Sequence, residues 1–179
     1  QAEAGRFLAP TGPELTGKGT YDAERYVYEG NYFETNSAVL TFGWNTQQYP
    51  QGLTDYPDLL DPALTGKIGV IEPTAPSIVD FYLWLEETYG ADYVEKLAAQ
   101  KPRIYPSSLP MGEAMASGEI AAGSFVAPIA LVPAKAKGAP VDFAMPPAGA
   151  WGSRYYGMVL ESGPNPNAAQ LFANFMVTA

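Results

Sequence analysis

Apolar positions along the chain switch repeatedly between strand-like runs and helical spacing. Two aromatic and β-branched runs, Arg25 to Phe33 and Ala38 to Trp44, favour strands. KIGVIE, residues 67–72, is an apolar run of strand length, followed by the breakers of EPTAPS and then by Ile78, Phe81, Tyr82, Leu85 and Tyr89 at helical spacing. Gly90 supplies a C-cap, and Asp92 with Glu95 predicts a capping box for a second helix through Tyr93, Val94, Leu97 and Ala98. The alternation continues with a strand from Arg103 to Tyr105, a helix through Met111 and Met115, and a small-residue strand from Glu119 to Phe125. It ends with a helix from Ile129 to Lys137, strands from Pro140 to Met145 and Tyr155 to Leu160, and a final helix opened by Pro166 behind Asn165. Gly5 to Asp22 reads as loop, and the Pro-rich and Gly-rich stretch from Tyr49 to Lys67 leaves room for one short helical turn. The predicted class is α/β with a mixed, largely parallel sheet flanked by helices.

Composition narrows what such a domain can do. The chain of 179 residues is 47% hydrophobic and 16% charged, which is globular, and it has no apolar run of membrane-spanning length. A net charge of -9 argues against nucleic acid and anionic lipid as partners. No cysteine and no histidine are present, which removes thiolate chemistry, the usual general base and the commonest transition-metal ligand. No enzymatic activity and no cofactor are therefore expected. The first residues, QAEAGRFLAP, lack the basic start and apolar stretch of a signal peptide and read as the inside of a longer chain.

Four segments in one order carry a resemblance: YPDLLDPALTGKIGVIEP, YPSSLPMGEAMASGEIAAG, AKAKGAPVDFAMPPAG and VLESGPNPNAAQLFANFM. From Tyr56 onward the chain resembles extracellular solute-binding proteins of ABC importers, of the type II periplasmic-binding fold and its ferric-ion, thiamine and phosphonate branch. The resemblance implies that residues 1–32 are a residual lobe-one segment with the start of the first crossover, and 33–153 the ligand-binding second lobe. Residues 154–179 would hold the second crossover strand and a return helix. It implies a bacterial protein, periplasmic or extracellular, anchored if at all through a segment outside this sequence. Such a protein binds a small solute in an interlobe cleft and delivers it to a permease. The expected partners are that solute, organic and with an anionic group among the options, the permease, and the missing lobe one of the same protein. The alternative is the ligand-sensing domain of a regulator; a ferric-binding protein or an enzyme ranks lower.

Candidate contacts follow from where this branch seats its ligands, on N-H groups and hydroxyls at helix N-termini. Thr74 and Ser77 lie at one such turn, where Pro76 removes a donor, and helix capping explains them equally well. Ser107 and Ser108 lie at the second, again with capping as the rival. Ferric-binding relatives carry adjacent tyrosines where this chain has Ser124-Phe125-Val126, so direct iron binding is not expected. Arg154, Tyr155 and Tyr156 fall at the second crossover, where a guanidinium could pair with an anion and rings could stack, although one of the two tyrosines must face inward as packing. Trp151 is the tryptophan beside the hinge and completes the set. Glu72, Asp80, Glu86 and Glu87 follow no catalytic or calcium-binding pattern and read as a solvated helix face.

Overall fold

A computed structural model describes residues 7–178. The sequence readings of residues 1–6 and of Ala179 fall outside it. In chain order the elements are β1 (Phe7–Leu8), α1 (Ala23–Tyr26), β2 (Val27–Tyr28), β3 (Tyr32–Asn45), β4 (Ile68–Ile71), α2 (Pro76–Tyr89), α3 (Tyr93–Ala99) and β5 (Arg103–Tyr105). They continue with α4 (Ser108–Ser117), β6 (Ala122–Val126), α5 (Pro128–Ala136), β7 (Val141–Ala144), β8 (Trp151–Gly157), β9 (Val159–Leu160) and α6 (Pro166–Met176). The chain divides into two compact units, one taking Val39–Gly152 and the other the residues up to Ala38 together with those from Ser153 onward.

The larger unit is a mixed α/β layer structure. Its sheet has β6, β4 and β5 in parallel, with β3 antiparallel to both β6 and β7. All four residues of β4 and all five of β6 are buried, as expected for strands covered on both faces. Glycine lets α4 lie close on this sheet: a Cβ on Gly69 would stand 2.7 Å from Met111 Cγ and from Ile120 Cδ1, and one on Gly123 3.0 Å from Met115 Cε. Across the unit an aromatic cluster forms around Tyr56, whose ring meets Phe42 edge-on at 5.1 Å, Trp84 at 5.5 Å and Tyr89 at 5.6 Å. Two 3-10 turns, Tyr56–Leu60 and Pro62–Leu64, bring that ring in, and Tyr93 Oη donates to the Tyr56 carbonyl at 2.6 Å.

The smaller unit has a thin interior. Its buried apolar residues are Leu15, Phe33, Val159 and Ala173, with Leu8, Tyr21, Val27, Ala169 and Val177 partly buried against them. It contains the two-stranded β1–β9 pair and the hairpin of β2 with the start of β3.

Several local expectations need correction. Arg25 opens no strand: Asp22 accepts from the Arg25 N-H at 3.2 Å and caps the one-turn helix α1. The two strands expected between residues 25 and 44 are divided differently: the short β2 (Val27–Tyr28) turns back into one long strand, β3 (Tyr32–Asn45), because polar Glu34-Thr35-Asn36-Ser37 does not interrupt a strand that is paired with β8. Thr35 Oγ1 donates to the Tyr155 carbonyl at 3.1 Å within that stretch. Asp92 forms no capping box; its carboxylate pairs with Lys96 at 2.7 Å, one helical turn on. The strand expected from Tyr155 begins at Trp151 and breaks after Gly157.

Candidate functional site

Pairing in the larger unit gathers four loops on one edge. β4, β5 and β6 run the same way, with Ile71 beside Tyr105 and Gly69 beside Gly123. β7 is antiparallel to β3, which is antiparallel to β6, so β7 ends where β6 ends. Residues 72–75, 106–107, 127 and 145–150 therefore emerge together at the C-terminal ends of the strands. The chain steps from β4 to β5 on one side of β4, then back past it to β6 on the other, so this edge holds the reversal point at which open α/β sheets bind ligands.

Four of the nominated residues stand on this edge as hydroxyls. Thr74, Ser77 and Ser107 are exposed and Ser108 is half-buried. Capping does not occupy them: α2 starts behind Ala75 and α4 behind Ser107, neither with a side-chain cap bond. α5, which follows β6, is likewise uncapped behind Ala127. Of the N-H groups in these first turns, Ile78 and Ala130 turn back to the carbonyls of Ala75 and Ala127. Pro76, Pro110 and Pro128 have none to give. Ser77, Ser108, Leu109 and Ile129 remain as backbone donors at the helix starts.

Trp151 closes this edge from the side of β7. Its indole N-H donates to Asp80 Oδ2 at 2.9 Å, and its ring lies 6.1 Å from Phe81 and 6.0 Å from Phe125. At 9% exposure it offers a ligand a ring edge rather than an open stacking face. Sequence reasoning placed Asp80 on a solvated helix face. The contact with Trp151 spans 71 residues, and no local spacing signals it.

In the smaller unit, Arg154 Nη1 donates to Tyr28 Oη at 3.3 Å and lies 3.9 Å from Glu34 Oε2. The Tyr28 and Tyr156 rings meet edge to face at 5.3 Å. Burial, then the neighbouring Tyr156 and Glu34, hold the Tyr28 phenol above its ordinary pKa. Tyr155 and Tyr156 are both exposed. Arg154, Tyr155 and Tyr156 thus belong to one unit, and Thr74, Ser77, Ser107, Ser108 and Trp151 to the other.

A groove of about 400 Å³ lies elsewhere in the larger unit, against α2, α3 and β5. Val70, Ile71, Val79, Leu83, Leu97 and Ile104 line it, and the Tyr82 hydroxyl at its wall already donates to the Ile71 carbonyl at 2.7 Å. Apart from the Glu86 carboxylate, such a groove has little with which to orient a polar solute. Among the described residues no group of three or more acidic side chains is placed to hold a metal ion.

Residues 20–179 match the family model of bacterial extracellular solute-binding proteins. No curated protein matches the chain. Among solved structures, it resembles the periplasmic binding protein AfuA from Actinobacillus pleuropneumoniae with exogenous fructose-6-phosphate bound. The two are 21% identical with a TM-score of 0.74, over 99% of this chain and 59% of that one. Iron-bound HitA from Pseudomonas aeruginosa gives 20% identity and a TM-score of 0.71, over 99% and 60%. A two-component system protein that mediates signal transduction gives 17% and 0.75, over 100% and 60%. At these identities the likeness shows the fold, and the chain spans about 60% of the length of the solved chains.

Proposed function

The chain belongs to the bacterial extracellular solute-binding protein family, and we propose that it carries a small organic solute to the permease of an ABC importer. The family sets its place of work outside the cytoplasm. Among the described residues no helix is long and apolar enough to cross a membrane. The observation that carries the proposal is the edge of the larger unit, with three uncapped helix starts, the free hydroxyls of Thr74, Ser77, Ser107 and Ser108, and the Trp151–Asp80 pair beside them. These groups can bind and orient a solute, and no nucleophile paired with a base is among them. We read the edge as one wall of an interlobe cleft. Lobe-one polypeptide in addition to the residues described supplies the opposing wall and covers the apolar face of α6.

Binding then needs no covalent step. Closure of the cleft around the solute marks the form that docks on the permease. The same fold in a signal-transduction protein makes ligand sensing the second reading. Native mass spectrometry of the protein purified gently from its host tests the first. A bound small molecule is expected, with its thermal shift lost in Ser107→Ala combined with Ser108→Ala. A solute whose shift survives both changes contradicts this placement of the site.

A further inference from the structure

Charge is unevenly distributed over the larger unit. Its basic side chains are Lys67, Lys96, Lys101, Arg103, Lys135 and Lys137. Lys67 precedes β4, while Lys101 and Arg103 stand at the start of β5. Lys135 and Lys137 lie at the end of α5, just before β7. All five of these sit at the beginnings of strands, and Lys96 lies inside α3, paired with Asp92. None stands in the loops that follow the strands. There the ionised groups are Glu72, directly after β4, and Asp80, in the first turns of α2, both exposed and neither in an ion pair among the described residues.

Two further observations point the same way. The donors that would seat an anion are depleted, because Pro76, Pro110 and Pro128 each occupy a first-turn position of a helix that starts on this edge. In the smaller unit, the one guanidinium nominated for anion recognition is already faced by the Glu34 carboxylate, 3.9 Å away and only 11% exposed, and bonded to Tyr28.

Resting on the solute-binding reading above, we infer that the solute bears a cationic nitrogen and that Asp80 is its counter-charge. Asp80 is suited to this because the Trp151 indole N-H fixes one carboxylate oxygen and leaves the other available, so little side-chain freedom remains to be lost on binding. A fixed carboxylate with no neighbouring base attracts an ammonium group and repels phosphate, which gives selectivity by charge.

Isothermal titration of the full-length protein with choline, putrescine, glucose 6-phosphate and inorganic phosphate tests this. Choline or putrescine is expected to bind, with affinity falling about tenfold in Asp80→Asn. The amide oxygen of that variant can still accept from Trp151, so an unchanged tryptophan emission spectrum reports an intact site; Glu72→Gln, at an exposed side chain, is the second variant and is expected to weaken binding less. Binding of a phosphate probe that Asp80→Asn leaves equal or strengthens overturns the cationic assignment and leaves the solute-binding reading standing. If no probe binds and no solute is retained on purification, that reading falls, and the assignment with it.

Discussion

The two units solve the same packing problem with unequal means. The larger buries a continuous core from Leu40 to Trp151, with Phe42, Tyr56, Phe81 and Leu85 fully enclosed. The smaller encloses Leu15, Phe33, Val159 and Ala173, while Leu171, Phe172 and Phe175 on α6 remain 74%, 61% and 68% exposed. An amphipathic helix whose apolar face meets solvent has been ordered without the burial that normally offsets its entropy. The larger unit therefore holds most of the buried core, and it is also the one whose strand ends form the candidate site. The smaller unit leaves an apolar helix face that calls for a cover.

Substitutions should separate the two units by the size of their effects. Phe81→Ala, at the centre of the larger core, is expected to cost about 3–5 kcal/mol in urea unfolding; a loss below about 1 kcal/mol would deny that this core is closed. Gly69→Ala sets a methyl group against Met111 and Ile120, and about 1–3 kcal/mol of overpacking is expected in the same assay. Asp58→Asn should cost about 1 kcal/mol by weakening the turn that brings in Tyr56. Burial alone would raise the Asp58 carboxyl, but hydrogen bonds from Thr54 N, Thr54 Oγ1 and Asp55 N outweigh it and hold the group below its ordinary value. Its contribution is then complete above about pH 4 and fades as pH falls through the folded value, so the variant's deficit should shrink in acid. Smallest of all, Leu171→Lys with Phe175→Lys on α6 should change stability by no more than about 0.5 kcal/mol. The same pair should abolish any concentration-dependent self-association seen by sedimentation. A large loss of stability there would mean that α6 is already covered.

What the sequence made legible follows the same division. Apolar runs and helical spacing found β4 through β7 and α2 through α5, because most of these elements pack locally repeated apolar residues into a closed core. Around residues 23–37 local rules failed: a cap at Asp22 and cross-strand pairing at Thr35 outweighed propensity. At the candidate site, hydroxyls next to helix starts were readable from turn chemistry. The tie between Trp151 and Asp80 was not, since only the folded sheet brings residues 71 positions apart into contact. The pairing of Arg154 with Glu34 escaped for the same reason.

The central claim, that solute is held on the strand-end edge of the larger unit, is tested most directly by hydrogen–deuterium exchange with and without the solute that accompanies the protein on purification. The account predicts slowed exchange in residues 72–77, 106–109 and 127–130, where bound solute excludes water from the strand-end loops, with no change in the groove around Val79, Leu83 and Ile104. Protection confined to that groove, or absent from all three helix starts, would contradict it.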